Sequence, residues 1–310
     1  MNRNLLLCFS AIIIMVAFSC EDKKKSTSFG DGPGFGNIRI SADESFKPVM
    51  DEMIEAYSML NPSANIEIRY KAESDCLRDL FYDSSVRLVI ISRGLTDRED
   101  RVLTQKLCYR PGWQRIAHDA IAVIVHPNSK DTVFSRSDLK DMISGKNRDR
   151  EILFDGTKAT ASFRYFRDSI MGSDEYDSTL VKAASGNEAV IEYVANHPGA
   201  IGLVGISWIG NPQDSIQITR LNKVKTAYIR CDRCEGTPYV KPSAESMVSG
   251  RYPLLRGMYY VIKENYKGLG TDLVSYMKFE PGQLIFRRSY LRPEMDFRVR
   301  NVKINTVSSD

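Results

Sequence analysis

The chain has 310 residues, with 43 Lys and Arg against 39 Asp and Glu, for a formal charge of +4. That balance is too mild to argue for a nucleic-acid partner, and no basic block in the body is interleaved with aromatics. The length exceeds one average domain of roughly 100–200 residues, so the chain can bury two sizeable cores.

The first residues read as an address. Arg3 precedes the apolar run "LLLCFSAIIIMVAF", which ends at Ser19-Cys20. This is a secretory signal over residues 1–19 ending in a lipobox-like cysteine, with Ala17 where leucine is usual. The run is short for a membrane span of about 20 apolar residues. "EDKKK" and "STSFGDGPGFG" follow, a charged and then Gly/Ser/Pro-rich stretch that reads as a solvated tether over residues 20–37. Cys20 is therefore expected to carry a lipid. Loss of Arg3 with the signal takes the charge from +4 to +3.

Of six cysteines, Cys8 falls in the signal and Cys20 is the anchor. Cys76, Cys108, Cys231 and Cys234 remain in an exported, oxidising setting, and four cysteines allow three pairings. "CDRC" at 231–234 reads as a local disulfide or as two free loop thiols. A zinc site would need a second ligand pair, and His118, His126 and His197 are scattered. No cofactor is expected.

The elements then follow in chain order. "NIRI" is a short strand. Phe46, Val49, Met50, Met53, Ile54, Tyr57 and Leu60 recur by three and four, so a helix follows, with Ser45 as N-cap, Pro48 in its first turn and "NP" at its end. "NIEIRY" alternates as a strand, and "SDCLRDLFY" is a short helix starting at Ser74 or Asp75. "VRLVIIS" is a strand covered on both faces. Thr96 and Glu99 form a capping box that opens another helix. "DAIAVIVHP" is a strand, "SDLKDMISG" a helix, "EILFDG" a strand and "SFRYFRDSIMG" a helix. Ser185 and Glu188 open the helix "NEAVIEYVAN", and "AIGLVGI" is a buried strand. "IQITRL", "MYYVIK" and a helix around "TDLVSYMKF" come next. After Pro293 the chain is polar, with one strand candidate, "FRVRNVKI". Strands alternating with helices imply parallel sheets built from βαβ units.

Four strand-to-helix entrances share one chemistry. They end in Ser45, in Ser74, in Ser92-Arg93, and in Thr160, Ala161 and Ser162 with Arg164 just inside the helix. In parallel α/β sheets ligands bind beyond the carboxyl ends of the strands. Helix N-termini and hydroxyls donate to anions there, and an arginine grips an oxyanion with two N–H groups. The bland reading is that these serines and threonines are caps and the arginines solvated surface residues.

Longer stretches carry a resemblance. "SADESFKPVMDEMIEAY", "VRLVIISRGLTDRE", "DAIAVIVHPNS" with Asp119 and Asn128 in register, "TAS" at 160–162, "HPGAIGLVGISW", "RYPLLRGMYYVIK" and "GQLIFRRSYLRP" are similar to segments of the phosphate-binding, periplasmic-binding-protein-like components of ABC transporters. The likeness runs from about Ile38 to Pro293. It implies a two-lobe, type II α/β fold, each lobe a mainly parallel sheet flanked by helices, joined by two crossing segments. Lobe one would hold residues 38–117 plus 240–300 and lobe two residues 118–239, leaving 301–310 as a tail. It also implies that Ser45, Ser74, Ser92, Arg93, Thr160, Ala161, Ser162 and Arg164 face the ligand. The departures are Arg87 for the usual acid, Ala161 for glycine, Gly156 for arginine, and Asp43 and Glu44 beside the site.

The resemblance implies a monomeric, lipid-anchored binding protein of the cell envelope, on the periplasmic side of the inner or outer membrane. It would take an oxyanion, phosphate first, pass it to an ABC permease and do no chemistry. The alternatives are a hydrolase or redox enzyme on the same frame, resting on "ADES" or "CDRC", and a binding fold repurposed for signalling or adhesion with its site lost.

Overall fold

The computed structural model describes residues 30–156 and 160–295. The signal, Cys20, the tether up to residue 29, residues 157–159 and residues 296–310, which hold "FRVRNVKI" and the expected tail, lie outside the described residues. The expected leash is not all tether. Asp31 pairs with Arg87 at 2.7 Å and accepts from Leu269 N, and the first strand already begins at Phe35.

The elements are β1 (Phe35–Asp43), α1 (Lys47–Leu60), β2 (Ser63–Lys71), α2 (Glu73–Tyr82), β3 (Val86–Ile91), α3 (Asp97–Leu107) and β4 (Gly112–Val125). Then come β5 (Val133–Phe134), α4 (Arg136–Ile143), β6 (Glu151–Phe154), α5 (Ala161–Phe166), β7 (Val181–Ala183), α6 (Asn187–Asn196) and β8 (Ala200–Gly205). They are followed by α7 (Ser215–Asn222), β9 (Lys225–Thr226), β10 (Tyr228–Arg230), β11 (Tyr239–Val240), α8 (Ala244–Val248), β12 (Leu255–Ile262), α9 (Leu269–Lys278), α10 (Glu280–Arg288) and β13 (Arg292–Pro293).

The main sheet has strand order β2-β1-β3-β12-β4-β8-β6-β7. β4 belongs to both halves. Gly112–Ala120 pair antiparallel with β12, and Ile121–Val125 pair antiparallel with β8. On either side the sheet is parallel, through β2-β1-β3 in the first half and β8-β6-β7 in the second. The chain enters the second half through β4 and returns beside it at the start of β12, where Ile121 N donates to Leu254 O at 2.9 Å. One apolar cluster runs through both halves, from Ile38 and Ile40 to Ile124 and Ile201. A smaller one under α2 and α3 holds Leu80, Val89, Ile91 and Leu103.

The periodicities place most elements, and the differences have local causes. Ser45 does not cap α1. Asp43 caps a short 3-10 turn over Glu44–Phe46, and α1 follows with Pro48 in its first turn. The cap of α2 is Ala72, whose side chain makes no bond, so the helix takes in Glu73 ahead of Ser74. Ser185 does not cap α6, whose N-cap is Gly186 at φ +93. The stretch "IQITRL" is helical in α7, capped by Asp214. Cys231 and Cys234 form a disulfide, while Cys76 is buried and Cys108 exposed as free thiols. Arg87, the odd residue in β3, bonds Asn37 O and Tyr266 Oη at 2.6 Å and pairs with Asp31 and Glu264, away from the carboxyl end of the strand. Among the described residues no helix is long and apolar enough to cross a membrane.

Candidate functional site

The carboxyl ends of β1 and β3 face those of β6 and β8 where the half-sheets meet on β4. In parallel sheets these ends are where ligands are held. Three of the expected hydroxyls converge there, and each is met by a carboxylate.

Ser45 is fully buried. Its N–H donates to Asp43 Oδ1 at 3.0 Å, and its hydroxyl donates to the same oxygen. Its carbonyl accepts from Ser207 Oγ and Trp208 Nε1, both at 3.1 Å, which ties the first half to the turn after β8. Gly205 suits this close crossing, since a Cβ there would lie 3.0 Å from Ser45 O.

Ser92 follows β3. Its N–H and hydroxyl donate to Glu73 Oε1 at 2.9 and 2.8 Å. Arg164, in α5, donates through Nε to Glu73 Oε2 at 2.5 Å, and through Nη2 to Glu73 Oε1 at 3.2 Å and to Ser92 Oγ at 2.6 Å. The ion pair spans the two halves. Ser74 is exposed, and its neighbour Glu73 is the buried residue that faces the cleft. Arg93 points to α3, where Glu99 takes both guanidinium nitrogens at 2.6 and 2.7 Å.

Ser162 is buried at the entrance of α5. Its hydroxyl donates to Asp155 Oδ2 at 3.3 Å and accepts from Arg256 Nη1 at 3.1 Å. Thr160 is the N-cap, accepting from Phe163 N at 3.4 Å and donating to Gly156 O at 3.3 Å. Ala161 is fully buried, so its methyl stands where a glycine would leave room. Phe163 and Phe166 meet the Phe154 ring edge-on at 5.4 and 5.5 Å. Each such pair adds about 0.5–1.5 kcal/mol beyond its area and fixes the entrance in place.

The charge at the centre is Arg256, only 4% exposed and stacked 5.2 Å from the Phe46 ring. Its Nε donates to Asp119 Oδ2 at 2.8 Å. Its Nη2 lies 2.7 Å from the same oxygen but is not aligned to bond with it. That nitrogen, Asp119 Oδ1 and Asp155 Oδ1 are buried without a hydrogen-bond partner among the described residues. Asn187 closes the ring. Its Nδ2 donates to Glu44 Oε2 at 2.6 Å and Asp155 Oδ2 at 3.3 Å, and its Oδ1 accepts from Gly205 N at 2.9 Å. Asp43 and Glu44 thus face the cleft.

Burial shifts these acids. It pushes Asp43 up to about 7 against the pull of Arg256, with Glu73 and Asp155 adding to the rise. It pushes Asp155 up to about 6, and raises Glu44 and Asp119 as well. Burial also works on Glu73, but Arg164 and Ser92 outweigh it and hold that carboxyl below its ordinary value.

The structure therefore brings Ser45, Ser92, Thr160, Ala161, Ser162 and Arg164 to one cleft, and leaves Ser74 and Arg93 outside it. It adds Glu73, Asp155, Asn187 and Arg256, and draws in Asp43, Glu44 and Asp119, which the sequence had already set beside the site or in register. For two of these the sequence also signals a buried pair. Arg256 and Asp119 are charges set in apolar strand sequence, "PLLRGMYYVI" and "HDAIAVIV", and such charges are almost never buried unless paired.

Residues 27–279 match the family model described as the PBP superfamily domain. The Phosphate-binding protein PstS of Pseudomonas aeruginosa is 24% identical over 265 residues, covering 78% of this chain and 77% of that one. PstS of Bacillus subtilis is 22% identical over 320 residues, 96% of each. A solved structure, with bound phosphate, of a Clostridium perfringens protein assigned as a phosphate ABC transporter substrate-binding protein superposes with a TM-score of 0.69 at 20% identity, covering 84% of this chain and all of that one. An ABC-type phosphate transport receptor from Vibrio cholerae superposes at 0.60 with 16% identity, over 83% of this chain and all of that one.

Proposed function

The chain belongs to the PBP superfamily, and from that premise we propose that it is an extracytoplasmic, lipid-anchored solute-binding protein. It captures an oxyanion, inorganic phosphate, for an ABC importer, with Cys20 as the anchor and a single copy of the chain as the working unit. The relatives named PstS support the ligand class. The observation that carries it is the buried Arg256 guanidinium, ion-paired with Asp119 and donating to the Ser162 hydroxyl at the strand ends. The two lobes are residues 38–117 with 240–300, and 118–239. The passage of the chain through β4 and back before β12 supports a double crossing between the lobes.

The charge balance narrows the ligand. Asp43, Glu44, Glu73, Asp119 and Asp155 outnumber Arg164 and Arg256 at the cleft. A fully deprotonated dianion meets repulsion and acceptors it cannot satisfy. An anion that carries its own proton donates to a carboxylate instead, and a neutral Asp43 or Asp155 donates to it. Phosphate has such a proton near neutral pH and sulfate does not. Titration calorimetry with both anions tests this. Phosphate is expected to bind one to one and sulfate at least about a hundredfold more weakly, which corresponds to losing about two charge-assisted hydrogen bonds. Absence of phosphate binding overturns the reading, and sulfate binding as tight as phosphate overturns the charge argument.

A further inference from the structure

Glu73 occupies an unusual position for a charged residue. It is 2% exposed, yet its carboxylate serves neither its own helix nor the nearest lysine. The α2 cap is Ala72, and Lys71 is committed to Asp79 at 2.5 Å. Instead the two Glu73 oxygens collect four donors: Ser92 N–H, Ser92 O–H, Arg164 Nε–H and Arg164 Nη2–H, between 2.5 and 3.2 Å. A backbone N–H, a hydroxyl and a guanidinium fork converging on two anionic oxygens is the donor set an oxyanion site requires. Two of those donors come from the first half of the molecule and two from α5 in the second. Arg164 has a second acid within reach, Asp168 Oδ2 at 3.6 Å one helical turn on. The arginine is therefore held near the cleft even when Glu73 lets go.

We propose that Glu73 is a built-in stand-in for the ligand: its carboxylate fills the oxyanion position offered by Ser92 and Arg164, holds the two halves together across the cleft, and must swing out before an external oxyanion binds. The proposal rests on the reading of the cleft as an oxyanion site. Its consequence is a competition. The apparent affinity is the intrinsic one reduced by the fraction of molecules in which Glu73 has left. If Glu73 only braced Ser92 and Arg164, its removal would leave affinity unchanged or lower it, and if it only repelled the anion, any gain would shrink as salt is raised.

The test is calorimetric titration of inorganic phosphate into the purified full chain, Glu73→Ala, Glu73→Gln and Ser92→Ala, with a melting curve for each. Glu73→Ala is expected to bind phosphate at least about tenfold more tightly than the unmodified chain, since a competing state populated at about nine in ten is removed. Glu73→Gln, which keeps the shape but presents N–H groups to the arginine, is expected to shift the same way, and it decides the matter if the alanine variant fails to fold. Ser92→Ala is expected to weaken binding. Phosphate binding by the unmodified chain that is unchanged or weaker in both Glu73 variants overturns the stand-in and leaves the proposed function intact. Failure of phosphate to bind the unmodified chain and every variant overturns the functional reading and this inference together.

Discussion

Removing a proton from Asp43 adds a buried negative charge within the field of Glu73 and Asp155, with Arg256 as the compensating cation. Asp43 is pushed up to about 7 and Asp155 to about 6, from an ordinary value of 3.8 for each. A carboxyl with a raised folded-state pKa holds more protons folded than unfolded between the two values. Stability therefore falls as pH rises through that window, here from about 4 to about 7, and is flat above it. His118, lowered mainly by burial, works in the opposite direction just below its ordinary value of 6.5. Glu73 and Glu99, both lowered, lose their contribution only below the ordinary glutamate value of 4.5. The melting temperature is expected to drop between about pH 5 and pH 7, and to drop less in Asp43→Asn, which keeps the acceptor for Ser45 without the charge. Parallel curves for the two proteins contradict the assignment. The hydroxyls of this network were legible in the sequence because a serine or threonine at a strand-to-helix turn is a local pattern. Asp155 and Asn187 were not, nor were the partners of Arg256, because they meet only through pairings across the fold, as between Ser162 and Arg256, 94 positions apart.

The two arginines expected at helix entrances are treated differently by their elements. Arg164 lies one turn into α5 and reaches across the cleft. Arg93 precedes the capping box of α3, in which Thr96 and Glu99 bond each other's backbone N–H groups. Glu99 then accepts both guanidinium nitrogens of Arg93, so the arginine braces the start of α3. Arg93→Ala is expected to lower stability by about 1 kcal/mol, given that both side chains are partly exposed. It should change phosphate affinity by less than about threefold. Urea unfolding and phosphate titration on one sample check this, and a tenfold or larger loss of affinity would return Arg93 to the site. The capping box was legible because its partners are three residues apart. The use of Glu99 to bind Arg93 was not, since the sequence shows only that Arg93 ends an apolar strand. The same limit explains α2. Its apolar spacing fixed a helix, but whether Glu73 or Ser74 faced the cleft turned on a start one residue earlier. In α7, "IQITRL" suited more than one period, and the Asp214 cap decided for helix.

At the scale of the whole molecule, most strands and helices were legible because each βαβ unit carries its own periodicity, whereas the two-lobed fold was implied by the family resemblance and the two- and three-residue strands β5, β7, β9, β10 and β11 are too short to show a period. The shared strand β4 was only half visible. Its first residues, "GWQRIAH", mix polar and apolar side chains, as suits a stretch whose neighbours are β12 and the short β13. If the entrance of α5 supplies one half of an oxyanion site, calorimetric titration of phosphate into the unmodified chain and Ser162→Ala shows it. The Ser162 hydroxyl sits between Asp155 and Arg256, so its loss is expected to weaken phosphate binding by about tenfold to a hundredfold, the equivalent of one hydrogen bond to a charged group. Phosphate affinity unchanged in Ser162→Ala, with only a lower melting temperature, would contradict the account and make this stretch a helix start and nothing more.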